Sequence, residues 1–427
     1  MKHSSYSLFA IVCLILSSCG SAQEITVHQL SDDLTTINSE ELTPLIASLG
    51  NAKIIGTTEC VHGMIEPFQF RNALIKELVK SKRINVIAIE SGLPESRLAY
   101  DYILGDDIDL DSVAINGFSC SFGELKPNKE LLIWLREYNQ NKVPNDQVHF
   151  YGFDIPGCPP NPVLENAMAG FNYVFDYLES VDKETYTSFH DAVMEYEIFL
   201  RIKDNGADTL QHFWDLDSTG WNKLESILDG LENTFQQKSE NYIENSSQLD
   251  FNWALMAITN ARENVIFLRN FGKSEINYDS RDYGQFKNIQ WIIENEPNKN
   301  LLLFAHSTHL MKELHGDTST FLPYPRCGEY LGKEYGDDYK VIGNFFRKLD
   351  WFDEDPLELE EGYLGYELSK LGTQNYYVEI NSLGGDWQKE WFVRKTNSGN
   401  KLLINFGKAV DIIYFNDTQT TLFPPEK

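Results

Sequence analysis

The stretch IIGTTECVHGMIEPFQFR, from Ile54 to Arg71, sets Glu59, His62, Glu66 and Arg71 just beyond an apolar run. A histidine three residues from a glutamate is a unit for proton transfer. Imidazole exchanges its proton near neutral pH, and a neighbouring carboxylate can orient one ring nitrogen and stabilise the charge that the ring acquires. Comparable residues follow other apolar runs: Glu90 closes INVIAIE, Asp154 closes VHFYGFD, and His306 and His309 lie at the end of NLLLFAH and just after it. Ligands of open parallel α/β sheets bind at the carboxyl ends of strands, so four runs point ionisable groups at one edge. A single Asp or Glu in such a place is commonly a helix cap, and Asp154, followed by Ile155, Pro156 and Gly157, fits that description. The whole set does not, because unpaired polar groups near a core cost roughly 1–3 kcal/mol each.

His62 is the candidate general base. Glu66 and Pro67 can open a helix there, since a proline in the first turn forfeits no hydrogen bond, and Phe70, Leu74, Ile75 and Leu78 supply its apolar stripe. The partial positive charge of a helix N-terminus disfavours imidazolium, so His62 is expected to be neutral, with Glu59 or Glu90 orienting its second nitrogen. Arg71 lies off the Leu74 and Leu78 stripe and would anchor a carboxylate or oxyanion, or else form a surface salt bridge. The chain has no G-x-S-x-G elbow, H-E-x-x-H, P-loop or G-x-G-x-x-G. Cys60 is a conceivable nucleophile, but neighbours two apart on a loop need not face each other. Water activated by His62 is the simpler chemistry.

These residues need a scaffold. The runs at 52–57, 84–90, 148–154, 300–306, 339–346 and 409–415 are nearly continuous in apolar residues, as parallel strands covered on both faces are. Helical patterns lie between them, and strand–helix–strand units build α/β sheets. The fold expected is α/β, with a mostly parallel central sheet flanked by helices. Residues 161–277 differ in kind: TYTSFHDAVMEYEIFLRI and FNWALMAITNARENVIFLRNF have helical periodicity. They read as a helical insertion forming one side of the active-site cleft, or as a packing layer.

The chain has 427 residues, of which 42% are hydrophobic, and a formal charge of −28. That charge argues against nucleic acid, whose affinity comes mainly from Lys and Arg neutralising phosphates. The apolar run from Leu8 to Leu16 is too short to span a bilayer, which takes about 20 residues, and reads as a signal-peptide core. Leu16-Ser17-Ser18-Cys19 has the form of a bacterial lipobox, so Cys19 is expected to become the lipidated N-terminus after cleavage, ahead of a domain over 20–427 that is exported to the cell envelope and meets the membrane only through that lipid. Cys60, Cys120, Cys158 and Cys327 remain. Four cysteines allow three full pairings, and buried free thiols are expected for at least two of them.

GTTECVHGMIEPFQFR resembles the G-E-x-x-H-G-x-x-E-x-x-x-x-R signature of the erythromycin esterase-like proteins, matching at Glu59, His62, Gly63, Glu66 and Arg71, with Thr58 in place of the leading glycine. The resemblance continues through VIAIES with Glu90, YGFD with Asp154, FAHSTH (similar to A-H-N-x-H, with Ser307 for Asn) and CGEYLGKEYGDDYKVIG. It is weakest over 161–277. It implies an α/β fold with a helical subdomain beside a deep cleft, and hydrolysis of a macrolide lactone by histidine-activated water. Carried over, His62 is the base, Glu59 and Glu90 are its acidic supports, and Arg71, His306 and His309 are the remaining catalytic cleft groups and oxyanion donors. Glu66 and Asp154 are assigned to substrate contact. No cofactor is implied.

Two other classes stay open. Glu59, His62, Glu90, Asp154, His306 and His309 are N and O donors of the kind that zinc or another divalent ion accepts, although a nearby Arg71 would repel a cation. An exported binding protein could use the same cleft to hold a small ligand without turnover. Oligomeric state is left open.

Overall fold

The structure is a computed structural model that describes residues 25–155, 163–203, 215–270, 280–297, 299–314, 324–350, 357–387, 390–395 and 401–422. The expected leader 1–19 with Cys19, the residue Cys158 and parts of the 161–277 insertion lie outside these residues. Among the described residues no helix is long and apolar enough to cross a membrane.

A nine-stranded sheet organises the molecule. Its strands are β1 (His28–Gln29), β2 (Ile54–Glu59), β3 (Val86–Gly92), β4 (His149–Asp154), β5 (Leu301–His306), β6 (Tyr339–Asp350), β7 (Leu357–Glu358), β8 (Asn375–Glu379) and β9 (Ile412–Thr420). The order is β1-β8-β9-β6-β2-β5-β3-β4, with β7 paired to β6. From β9 to β4 every pairing along that path is parallel, while β1, β7 and β8 pair antiparallel. The parallel sheet was legible in the six apolar runs. The antiparallel edge was not, because NYYVE (375–379) is too polar at its ends to stand out as a core strand.

The apolar runs are continuous because both faces of the sheet are covered. Ile54, Val86, Ala88, Leu301, Leu303 and Val341 face one core, and Ile55, Ile87, Ile89, Leu302, Phe304 and Ile342 the other. On the second face pack α1 (Ile65–Lys80), α2 (Leu93–Leu104) and α3 (Lys126–Asn139), with Phe68, Leu74, Ile75 and Leu78 of α1 buried there. Between β4 and β5 the described chain is mostly helical: α4 (Asn166–Val181), α5 (Ser218–Gln237) and α6 (Gln248–Asn270) enclose an apolar cluster of their own around Phe171, Leu228 and Ala257. A short strand pair, Val163–Glu165 with Arg201–Lys203, lies in the same region. Two further helices cover the first face: α7 (Ser280–Asn295) through Phe286, Ile289 and Ile292, and α8 (Cys327–Tyr335) through Cys327 and Leu331. Cys60 and Cys327 are buried free thiols, and Cys120 is disulfide-bonded.

The regular pairing of β3 with β4 breaks near its carboxyl end. Ile89 pairs with Gly152, but Gly92 pairs with Asp154, so β3 carries one more residue than β4 across this interval. That is a β-bulge, a device that bends a strand and re-aims a side chain, and Glu90 sits in it. The bulged backbone crowds β4: a Cβ at Gly152 would lie 2.3 Å from the Ser91 carbonyl oxygen and 2.5 Å from that of Gly92. Backbone cannot yield as a side-chain tip can. Gly152→Ala is therefore expected to destabilise the protein by about 1–3 kcal/mol, the usual range for overpacking. A urea midpoint equal to that of the wild type would show that the bulge can relax.

Candidate active site

Glu59 is the last residue of β2 and pairs in register with His306, the last residue of β5. Beyond Glu59 the chain turns through Gly63, whose φ of 73° lies in the left-handed region that suits glycine. Its carbonyl accepts the N–H of Leu422 at 2.7 Å, tying the turn to the end of β9. This turn brings His62 back over the strand end, where its Nδ1 is 2.8 Å from Glu59 Oε1. Glu59 is buried, whereas the His62 side chain is 43% exposed. The His62 ring lies 5.0 Å from that of His306 and 5.5 Å from that of Phe122. Phe122 is held in place by its turn: Ser119 N–H donates to Ser91 Oγ at 2.7 Å and Gly92 N–H to Ser119 Oγ at 2.8 Å.

The geometry gives His62 a definite tautomer. An ionised carboxylate accepts, so Nδ1 carries the hydrogen and Nε2 keeps its lone pair. The protonation balance, however, departs from the helix-dipole expectation. Burial works against imidazolium, but the hydrogen bond and charge of Glu59, with Glu90 behind it, outweigh burial and raise the pKa of His62. Glu59 itself is raised, chiefly by burial.

Behind this pair stands a denser cluster. Glu90 Oε2 accepts the backbone N–H of His306 at 2.7 Å, and Oε1 lies 3.0 Å from Arg281 Nη2 and 3.3 Å from His309 Nε2. Arg281 also bonds both oxygens of Asp154, by Nε at 3.1 Å and by Nη2. His309 Nδ1 lies 2.8 Å from Asp282 Oδ1. Burial alone would neutralise Glu90, yet the charges of His309 and Arg281 hold it well below the usual carboxylate range. Burial likewise opposes a charged His309, but Asp282 and Glu90 raise its pKa to about 10. The two carboxylates flanking its ring favour the imidazolium form of His309.

Of the residues expected from the sequence, Glu59, His62, Glu90, Asp154, His306 and His309 are joined by these bonds and ring contacts at the carboxyl ends of β2, β3, β4 and β5. Two assignments need correction. Arg71 is not a cleft anchor: it is fully buried, its guanidinium stacked 4.7 Å from the Phe68 ring and 4.5 Å from that of Phe304 and bonded to Asn72 and Asn128. The expectation that Arg71 lies off the Leu74 and Leu78 stripe does not hold, because positions 71, 74, 75 and 78 are in helical phase and share one buried face of α1. His306 is not a free donor, since Nε2 lies 2.9 Å from the Cys60 carbonyl, and Nδ1 is 2.8 Å from Thr308 Oγ1 and accepts the Thr308 N–H. Glu66 and Asp154, expected at the substrate, have protein partners. Glu66 accepts the N–H of Thr420 at 2.8 Å, and Asp154 accepts from Arg281 and the N–H of Ile155.

Sequence reading missed Arg281, Asp282 and Arg326. A signal existed. Asp282 is in helical phase with Phe286 and Ile289, and Arg281 with Gln285 and Asn288, so both charges fall on the buried side of α7. Asn260 and Asn288 complete the arrangement by donating to the Asp154 carbonyl at 3.3 and 3.2 Å.

Removing Arg281 would leave two buried carboxylates facing each other. Arg281 is 30% exposed, so Arg281→Ala is expected to cost about 3 kcal/mol, the low end for breaking a buried ion pair. Because Glu90 is held below its ordinary pKa, this stabilisation is present above about pH 4.5 and lost as pH falls. Denaturant unfolding at several pH values should show the deficit narrowing in acid. A deficit independent of pH would mean that packing, not charge, is what the arginine provides.

Comparison with known proteins agrees with this architecture. A structure of a Bacillus cereus protein superposes with a TM-score of 0.73 at 18% identity, covering 92% of this chain and 95% of the other. A succinoglycan biosynthesis protein gives 0.72 at 16%, with the same coverage of both chains. A histidine variant of the erythromycin esterase EreC, in its open conformation, gives 0.68 at 15%, covering 90% of this chain and 96% of that one. Likeness at these identities establishes the fold. The family profile for erythromycin esterase matches residues 79–358, which take in Glu90, Asp154, Arg281, Asp282, His306 and His309, and the chain therefore belongs to the erythromycin esterase family, as an esterase-like hydrolase acting on a small molecule.

Proposed function

We propose that the protein hydrolyses an ester or lactone, with a macrolide lactone as the substrate class that the family suggests, by water activated on His62. The observation that carries this reading is the pairing of His62 Nδ1 with buried Glu59 while the ring remains 43% exposed. Water on the Nε2 side gives up a proton to the imidazole and attacks the carbonyl carbon. Glu59 stabilises the imidazolium, which returns the proton to the departing alkoxide. The tetrahedral oxyanion needs a donor or cation nearby. His306 and His309 have both ring nitrogens engaged within the protein, and Arg71 is enclosed. Arg281, charged and partly exposed beside Glu90, is the better candidate.

The divalent-metal reading finds few open donors. Both oxygens of Glu90 and both ring nitrogens of His306 and of His309 already have partners, and Arg281 stands among the carboxylates. We accordingly assign no metal to the reaction. Export with lipid on Cys19 remains part of the proposal, and loss of fatty-acid labelling in Cys19→Ala would support it.

The test is turnover of erythromycin and of p-nitrophenyl esters, with and without chelator. His62→Asn is expected to lower kcat by roughly 10²–10⁴-fold, while chelation leaves the wild type unaffected. Because the His62 pKa is raised, the rate should climb with pH through a value above the ordinary 6.5 of imidazole. Glu59→Gln should move that limb to lower pH as it lowers kcat. Chelator-sensitive turnover would favour the metal reading, and binding without turnover would favour a non-catalytic ligand-binding protein.

A further inference from the structure

Asp282 takes no part in the proton transfer at His62, yet its carboxylate is completely buried and joins separate parts of the site. Oδ1 accepts from His309 Nδ1 at 2.8 Å and from the Cys327 N–H at 3.0 Å, and Oδ2 accepts from Arg326 Nη1 at 2.9 Å. One side chain at the start of α7 thus links the turn after β5 to the start of α8. Through His309 it also reaches Glu90, 3.3 Å beyond. An ionised carboxylate this deep is held only by opposite charge and hydrogen bonds, and here both come from groups of the site.

We propose that Asp282 is a positioning residue, which keeps His309 as an imidazolium between two carboxylates and so fixes Glu90, and the His306 backbone that Glu90 binds, beneath His62. The proposal rests on the reading of His62 as the base. The groups around His309 come from several elements: Asp282 and Arg281 from α7, Glu90 from β3, His306 from the end of β5 and the charge of His62 from the turn after β2, with Asp154 of β4 reached through Arg281 and Arg326 and Cys327 at the start of α8 reached through Asp282. Of these, Arg281 opposes a charge on His309, and the two adjacent carboxylates outweigh it. Asp282 is in turn held ionised, against burial, by His309, Arg326 and the Cys327 N–H. If Asp282 became neutral, His309 would keep one carboxylate beside a competing guanidinium.

Two consequences separate positioning from mere packing. In the wild type, His309 should stay protonated until about pH 10. Asp282→Asn, which preserves shape and one acceptor, should lower the titration of His309 by about 1–3 pH units. The variant's kcat should then fall as pH rises through the new value, with KM little changed, while the wild type sustains its rate.

The experiment is histidine-selective ¹³C NMR titration of the whole protein, with the His309 signal assigned by its loss in His309→Gln, alongside pH–rate profiles for p-nitrophenyl acetate. A wild-type His309 that titrates near 6.5 overturns the proposal whether or not Asp282→Asn folds. So does a variant whose rate is unchanged, or is lowered equally at every pH. If His62→Asn keeps full activity, it is the reading of His62 that fails, and the NMR titration still decides whether Asp282 holds the imidazolium.

Discussion

The site depends on keeping the charge on Glu90 at a place where water cannot solvate it. Removing a carboxylate from water costs several kcal/mol, and the loss is recovered only with opposite charge and good hydrogen-bond geometry around it. Here the Arg281 guanidinium, the His309 imidazolium and the His306 backbone N–H supply both. These donors come from α7 and from the end and following turn of β5, so the demand of one carboxylate brings together elements distant in sequence. Two of those donors have a further anion: Asp154 for Arg281, Asp282 for His309. The result is an alternation of charges in which each buried member is paired.

The sheet explains why this chemistry lies where it does. Both faces of the parallel strands are covered by apolar side chains, so no ionisable group can face inward along β2, β3 or β5 without losing its solvent. The carboxyl ends are the first positions where side chains leave the sandwich. The bulge in β3 works within that limit: it adds a residue just where Glu90 must turn toward β5, and glycine at 152 admits the displaced backbone. The turn through Gly63 does the equivalent for His62, returning it over the strand that has just ended.

This division also sets what could be read from sequence. Strand runs and strand-end residues are local signals, and the parallel core, Glu59, His62, Glu90 and the two late histidines were legible in them. What a charge on a buried helix face meets is not local. Arg71 is in phase with Leu74, Ile75 and Leu78, yet Phe304 and Asn128, which enclose it, come from other elements. Arg281 and Asp282 escape notice for the same reason: charges in phase with Gln285 and Asn288, or with Phe286 and Ile289, look like interruptions of a buried face until β4 and the turn after β5 are packed against them. Protonation was the least legible property. A helix N-terminus predicts a neutral His62, but a carboxylate in direct contact acts over a shorter distance than a macrodipole, and its effect is larger.

Three histidines within one cluster show how partner choice assigns function to identical side chains. His309 lies between two carboxylates; both of its ring hydrogens are committed and it is a fixed cation. His306 meets a backbone carbonyl and the Thr308 hydroxyl and N–H, which suit the neutral ring and leave it no vacant nitrogen. Only His62 has one carboxylate and an exposed edge, and so a stabilised charge together with an unoccupied lone pair. Proton transfer requires both properties in the same ring. Of the three, His62 alone has them, because the Gly63 turn stops short of burying it.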